Sequence, residues 1–164
     1  NILFHGNLLV SENKSAAIFL IEVYKNSSFD LVIASNYKSK RISKEINKHK
    51  NIHFTKINNQ QKLNQLFKNA HINVLPTFQQ TGIKLKLLNA LHKGRFIIAN
   101  DYMVKDTGLE SLTERASTKE EFLNSSKKLF ELEFKEVYMK QRTKVLENFH
   151  PKTSAKKMID KIFN

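Results

Sequence analysis

The sequence predicts an α/β protein: a Rossmann-like, doubly wound parallel sheet of about six strands, with helices on both faces and extra helices at the C-terminus. Three observations carry this prediction. Short apolar runs alternate along the chain with stretches of helical periodicity, joined by short connections. One run, Arg95-Phe96-Ile97-Ile98-Ala99, reads as a strand buried on both faces, as parallel sheets require. The stretch Pro76 to Asn100, PTFQQTGIKLKLLNALHKGRFIIAN, reads as loop, helix and buried strand in immediate succession.

The elements follow in order. Asn1 to Gly6 is an apolar run closed by glycine and makes the first strand. Ser11 suits an N-cap for a helix from Glu12 to Lys25, with Ala16, Ala17, Phe19, Leu20 and Val23 on its buried face. Asp30 to Ser35 is the second strand. Lys38 to Lys48 is a lysine-rich peripheral helix anchored by Ile42 and Ile46. Asn51 to Thr55 alternates and belongs near a sheet edge. Gln60 to Asn69 is a helix with Leu63, Leu66 and Phe67 facing inward, and Ile72 to Leu75 is the next strand.

In the central stretch, Thr81 is the expected N-cap, and Leu85, Leu88 and Leu91 the expected buried stripe, widened by Leu87. Gly94 ends the helix as a C′ glycine would. After Asn100, Glu114 to Ser117 makes a short final strand. Thr118 and Glu121 form a capping box for a helix running to about Leu132. Two helices close the chain, from about Phe134 to Asn148 and from Pro151 to Phe163. Their apolar residues, among them Met139, Val145, Leu146 and Phe163, are many for the edge of a small domain, so part of that surface is expected to await another domain or chain.

Residues 1–164 form one domain by this reading. The chain opens on Asn1 and enters a strand at once, as a piece of a longer protein would. It contains no cysteine, which excludes disulfides and thiol chemistry and fits a cytoplasmic location. No apolar run approaches the roughly 20 residues of a membrane span. The net charge of +13 favours anionic partners: a nucleotide, or an acidic membrane surface at which the protein sits peripherally. The lysines are spread along every helix and also serve to solubilise them. They form no dense block, so no specific nucleic acid is expected.

In such sheets ligands bind at the carboxyl ends of the strands. That gathers His5-Gly6-Asn7, Ser35-Asn36-Tyr37, Thr55 to Asn58, Pro76 to Gly82, and Asn100-Asp101-Tyr102. The helix start at Thr81–Lys84 offers free N–H groups, a favourable dipole and the charge of Lys84 to an anion. An unliganded strand–loop–helix unit has the same pattern. Gly6 is a lone glycine, so a dinucleotide fingerprint is absent, as is a P-loop. The histidines show no metal spacing, and only His5 stands at a strand end. Asp101, Asp106 and Glu110 read as loop residues. A phospho-acceptor receiver would need acids after the first strand, where Gly6-Asn7 stand instead.

Pro76-Thr77, Gly82, Leu88-Asn89-Ala90-Leu91, Gly94 and Phe96-Ile97-Ile98 resemble, in order, the signature of the C-terminal, donor-binding half of group 1 glycosyltransferases of the GT-B fold. The match is looser at Gly6-Asn7 and Ser11-Glu12-Asn13-Lys14. The resemblance implies a domain cut from a two-domain enzyme of polysaccharide biosynthesis, which transfers a sugar from a nucleotide-diphosphate donor without metal or other cofactor. It implies donor contacts from Gly6, Asn7, Lys14, Thr81, Gly82, Ile83, Lys84 and Asn89, an acceptor held by an N-terminal domain, and no activity in this half alone. The family's basic pair falls on Asn7 and Asn13, with Lys14 one place on as a substitute, and its two glutamates fall on Thr81 and Asn89. All four positions are neutral here, which weakens the contacts. A non-catalytic anion- or nucleotide-binding module of the same fold is the alternative.

Overall fold

The computed structural model describes residues 1–79 and 85–147. The chain divides into two compact units, 1–133 and 134–164. The first holds a six-stranded, all-parallel sheet. Its strands are β1 (Ile2–His5), β2 (Leu31–Ser35), β3 (Ile52–Lys56), β4 (Ile72–Leu75), β5 (Phe96–Ala99) and β6 (Glu114–Arg115), in spatial order β3-β2-β1-β4-β5-β6. The helices are α1 (Ser11–Tyr24), α2 (Lys40–Ile46), α3 (Gln60–Asn69), α4 (Leu85–Lys93), the single turn α5 (Asp101–Val104) and α6 (Lys119–Phe130). A 3₁₀ turn, Glu110–Leu112, precedes β6.

Alternation along the strands sorts the core. Ile2, Phe4, Leu31, Ile33, Ile72, Val74 and Ile98 join α1, α2 and α6 in the main cluster. Tyr24 of α1 meets Ser126 of α6 at 2.8 Å between hydroxyls, and Phe19 lies edge-on to Phe122 at 5.4 Å. On the other face His5 lies edge-on to Phe67 of α3 at 4.9 Å. The doubly wound sheet predicted from the sequence is therefore the fold. β3 is an edge strand as expected, and α6 starts with the predicted capping box.

Three local expectations are corrected. Leu85 is 61 % exposed and Leu88 only partly buried, while Leu87, Ala90 and Leu91 are buried. The helix is rotated so that Leu87, Ala90 and Leu91, at helical spacing, face inward. Ser11 is the first helical residue rather than the cap. Val10 holds the cap position and, having no polar side-chain atom, makes no capping bond, while Asn7 Oδ1 closes the preceding loop by accepting from the Leu9 amide. Gly94 follows α4 without entering the left-handed region. Glycine is needed there for space, since a Cβ would lie 2.4 Å from Asn73 Nδ2.

In the second unit α7 (Glu136–Leu146) buries Leu146 and Arg142 and leaves Val137 and Tyr138 exposed. The expected last helix, with Met158, Ile159, Ile162 and Phe163, lies outside the described residues.

Candidate functional site

Strand order reverses between β1 and β4, whose following connections lead to opposite faces of the sheet. Pairing between these two strands spans only Ile2–Ile72 and Leu3–Asn73, whereas β4 and β5 pair along their whole length. The carboxyl ends of β1 and β4 thus border a crevice.

Each wall is built by local bonds. The Gly6 amide extends the ladder to Ala34 (3.1 Å). A Cβ at Gly6 would lie 2.9 Å from Asn13 Cγ, so glycine lets α1 close on the strand. Asn7 Oδ1 accepts from the Leu9 amide (2.9 Å), and the Asn7 carbonyl accepts from Asn13 Nδ2 (2.9 Å) and the Val10 amide (3.1 Å). On the opposite wall Thr77 is held by buried Asn100, whose Oδ1 accepts from the Thr77 amide (3.0 Å) and whose Nδ2 donates to the Thr77 carbonyl (2.6 Å).

Glu12 joins the walls. Its Oε1 accepts from the Thr77 hydroxyl, the Phe78 amide (3.0 Å) and the Gln79 amide (3.3 Å). Lys86, in the first turn of α4, makes the second crossing. Its ammonium donates to Asn13 Oδ1 (2.7 Å) and stands 5.1 Å from the centre of the Phe4 ring. A cation from the α4 layer therefore reaches across the strand ends to the start of α1.

Burial lowers the Lys86 pKa to about 8, against the opposing pull of the Glu12 charge. Burial would raise the Glu12 pKa, but the bonds from Thr77, Phe78 and Gln79 and the Lys86 charge hold it below its ordinary value. His5 is pushed down to about 3, first by burial and then by the charges of Lys86 and Lys93. It is neutral at physiological pH, and its Nδ1 has no hydrogen-bond partner.

Of the residues singled out from the sequence, Gly6 and Asn7 line the crevice. Lys14 lies in the first turn of α1 with its amide bonded to Val10 (3.2 Å), and Asn13, not Lys14, meets Lys86. Asn89 is exposed on α4. Thr81, Gly82, Ile83 and Lys84 lie outside the described residues. Sequence reasoning missed Glu12 and left Lys86 free to point into solvent. A lysine in the first turn after an anion-site motif was the available signal for Lys86; nothing local ties Glu12 to a loop 65 residues away.

Two cavities flank the crevice along the carboxyl edge. One, of roughly 590 Å3, includes Tyr37, Lys38, Phe54 and Lys56 beyond β2 and β3. The other, of roughly 600 Å3, lies beyond β4, β5 and β6. Among the described residues no group of three His, Cys, Asp or Glu could hold a metal ion, and no helix is long and apolar enough to cross a membrane.

A doubly wound parallel sheet with a crevice at its switch point defines the Rossmann-like class, to which GT-B domains belong. Residues 1–131 match the family described as Glycosyl transferases group 1, and the chain belongs to that family. The fold is similar to the C-terminal domain of the glycosyl transferase group 1 family protein LpcC from Francisella tularensis. That likeness has a TM-score of 0.63 at 10% identity, over 90% of this chain and 84% of that one. It is also similar to the E. coli trehalose-6-phosphate structure bound with UDP-2-fluoro glucose, with a TM-score of 0.59 at 9% identity. That match covers 90% of this chain and 39% of the E. coli chain. No curated protein matches the chain in sequence.

Proposed function

We propose that this domain binds the diphosphate of a nucleotide-sugar donor in the β1/β4 crevice. Transfer of the sugar, without a metal, would then go to an acceptor held by an N-terminal domain of the same protein. The observation that carries the reading is Lys86, a partly buried cation placed at the switch point, whose ammonium donates to the neutral side-chain amide oxygen of Asn13. The carboxylate whose charge acts on Lys86, Glu12, is already bonded to Thr77, Phe78 and Gln79, so the ammonium can still receive an anion. Gly6 lets Asn13 and α1 close on the end of β1, and Thr81, Gly82, Ile83 and Lys84, the donor contacts that the family resemblance implies, would add amides and further charge. Asn7 stands at the crevice, Lys14 and Asn89 are the further donor contacts that the family resemblance implies, and Tyr37, 44 % exposed, would offer a ring face to a base. The similar E. coli structure holds a UDP sugar, which agrees with this class of ligand. The location expected is cytoplasmic, with the basic surface suited to the inner face of a membrane.

Calorimetry on the full-length protein tests the reading with UDP-glucose, GDP-mannose and their nucleoside diphosphates, with and without EDTA. Saturable binding unchanged by EDTA, with turnover of the bound donor, supports it; no binding of any of the four overturns it. The neutral residues Thr81 and Asn89 at the family's acidic positions favour a second reading, a binding module without catalysis. Binding without turnover identifies that one.

A further inference from the structure

We propose that the cavity beyond β4, β5 and β6 is a saccharide subsite, distinct from the crevice that takes the diphosphate; this rests on the donor-binding reading for its place in the reaction. Phe78 and Tyr102 both line the cavity and are 48 % and 46 % exposed, large apolar rings left open to solvent. The Phe78 ring is braced from behind, edge-on to Phe19 at 5.7 Å. Around the rings stand Asp101, Lys105, Asp106 and Ser117. Their charges nearly cancel once Arg115 is counted, because its Nε donates to Asp101 Oδ1 at 2.9 Å. Both bonds from Arg115 fall on Oδ1, so Asp101 Oδ2 remains an open acceptor. The side chains of Lys105 and Asp106 make no hydrogen bond or ion pair among the described residues.

Open ring faces and uncommitted donors and acceptors, with little net charge, fit a polyhydroxylated, uncharged ligand. A pyranose presents C–H faces to the rings and hydroxyls to the polar rim. A phosphate or nucleotide would find no net positive charge here, since Lys105 and Arg115 are matched by Asp101 and Asp106. The cavity adjoins the crevice through Phe78, the residue after Thr77. Its volume exceeds that of one sugar ring, so more than one residue of a saccharide can enter. The occupant is either the sugar of the donor or the saccharide end of the acceptor.

The test uses the full-length protein with Tyr102→Ala, which removes a ring face, and Tyr102→Phe, which keeps it. Saturation-transfer NMR is recorded with maltotriose, cellotriose and chitotriose, and calorimetry with UDP, UDP-glucose, GDP and GDP-mannose. Losing one stacking face is expected to weaken saccharide binding roughly three- to tenfold in Tyr102→Ala, with recovery in Tyr102→Phe. Loss confined to the free saccharides assigns the cavity to the acceptor. Loss of the affinity difference between a nucleotide sugar and its diphosphate assigns it to the donor sugar. If Tyr102→Ala leaves both readouts unchanged, or no saccharide and no nucleotide sugar gains from the site, the subsite is overturned. Retained diphosphate binding in that event leaves the donor reading standing, whereas its absence removes the donor reading separately.

Discussion

Glu12, at the start of α1, is bonded to Thr77, in the loop after β4, across the strand end that separates them. The same carboxylate oxygen accepts the Phe78 and Gln79 amides, so a side chain occupies backbone donors that would otherwise face the crevice. The start of a helix and a loop remote from it in sequence are thereby joined across the crevice.

Glu12→Ala is expected to release that loop. Amide hydrogen exchange at Phe78 and Gln79 should quicken while exchange in β1 and β4 stays slow, and global stability should fall by about 1 kcal/mol. Unchanged exchange at both amides would show that the carboxylate does not hold the loop.

Lys86 should make donor affinity depend on pH. In the free protein its pKa is about 8, and a bound diphosphate stabilises the charged form and raises that value. Binding then takes up a proton above pH 8, and affinity falls by up to roughly tenfold per pH unit there. Lys86→Ala should weaken binding by about 1.5–3 kcal/mol and flatten the profile, while Lys48→Ala, whose ammonium pairs with Glu45 on α2, should do neither. A wild-type profile level from pH 7 to 9.5 would place the phosphates elsewhere.

Much of this fold was legible because it rests on local signals. Apolar runs gave the strands, Thr118 and Glu121 gave the start of α6, and the order of elements implied parallel pairing. The rotation of α4 was not legible. Leu85, Leu87, Leu88 and Leu91 satisfy more than one helical stripe, and the choice is made by what α4 packs on, including Asn73 against Gly94. The crevice was legible in place but not in membership. Gly6 and Asn7 follow the end of β1, as the apolar run ahead of them predicts. Glu12 and Lys86 act through contacts to Thr77 and Asn13 that no spacing along the chain encodes.

His5 should contribute to acid sensitivity. Its folded pKa of about 3 lies below its unfolded value near 6.5, so the unfolded chain takes up the proton first. The stability present at neutral pH is therefore lost as pH falls from about 6.5 toward 3, at up to about 1.4 kcal/mol per pH unit. Because His5 Nδ1 is unpartnered, His5→Leu removes the titration without orphaning another group. Denaturant midpoints between pH 7 and 4 should fall less steeply in His5→Leu than in the wild type. Equal slopes would mean that other groups dominate this window.

The two glycines separate fold from site. At Gly94 an added Cβ would meet the Asn73 side-chain amide, which is fully buried, at 2.4 Å and the Ala90 carbonyl, which is backbone and cannot retreat without moving α4, at 2.9 Å. Gly94→Ala is expected to cost about 1–3 kcal/mol of stability, read as a lowered denaturant midpoint. At Gly6 the obstacle is the side chain of Asn13, 2.9 Å away, which can swing aside. Gly6→Ala should therefore stay within about 1 kcal/mol of the wild type. Displacing Asn13, however, breaks its bonds to the Asn7 carbonyl and to Lys86, and the new methyl group narrows the crevice. Donor affinity should fall at least roughly tenfold in Gly6→Ala, the loss of one charge-assisted contact. A stable Gly6→Ala protein that binds donor like the wild type would move the site away from the β1/β4 crevice, whereas an equally destabilised pair would show Asn13 to be as immobile as Asn73.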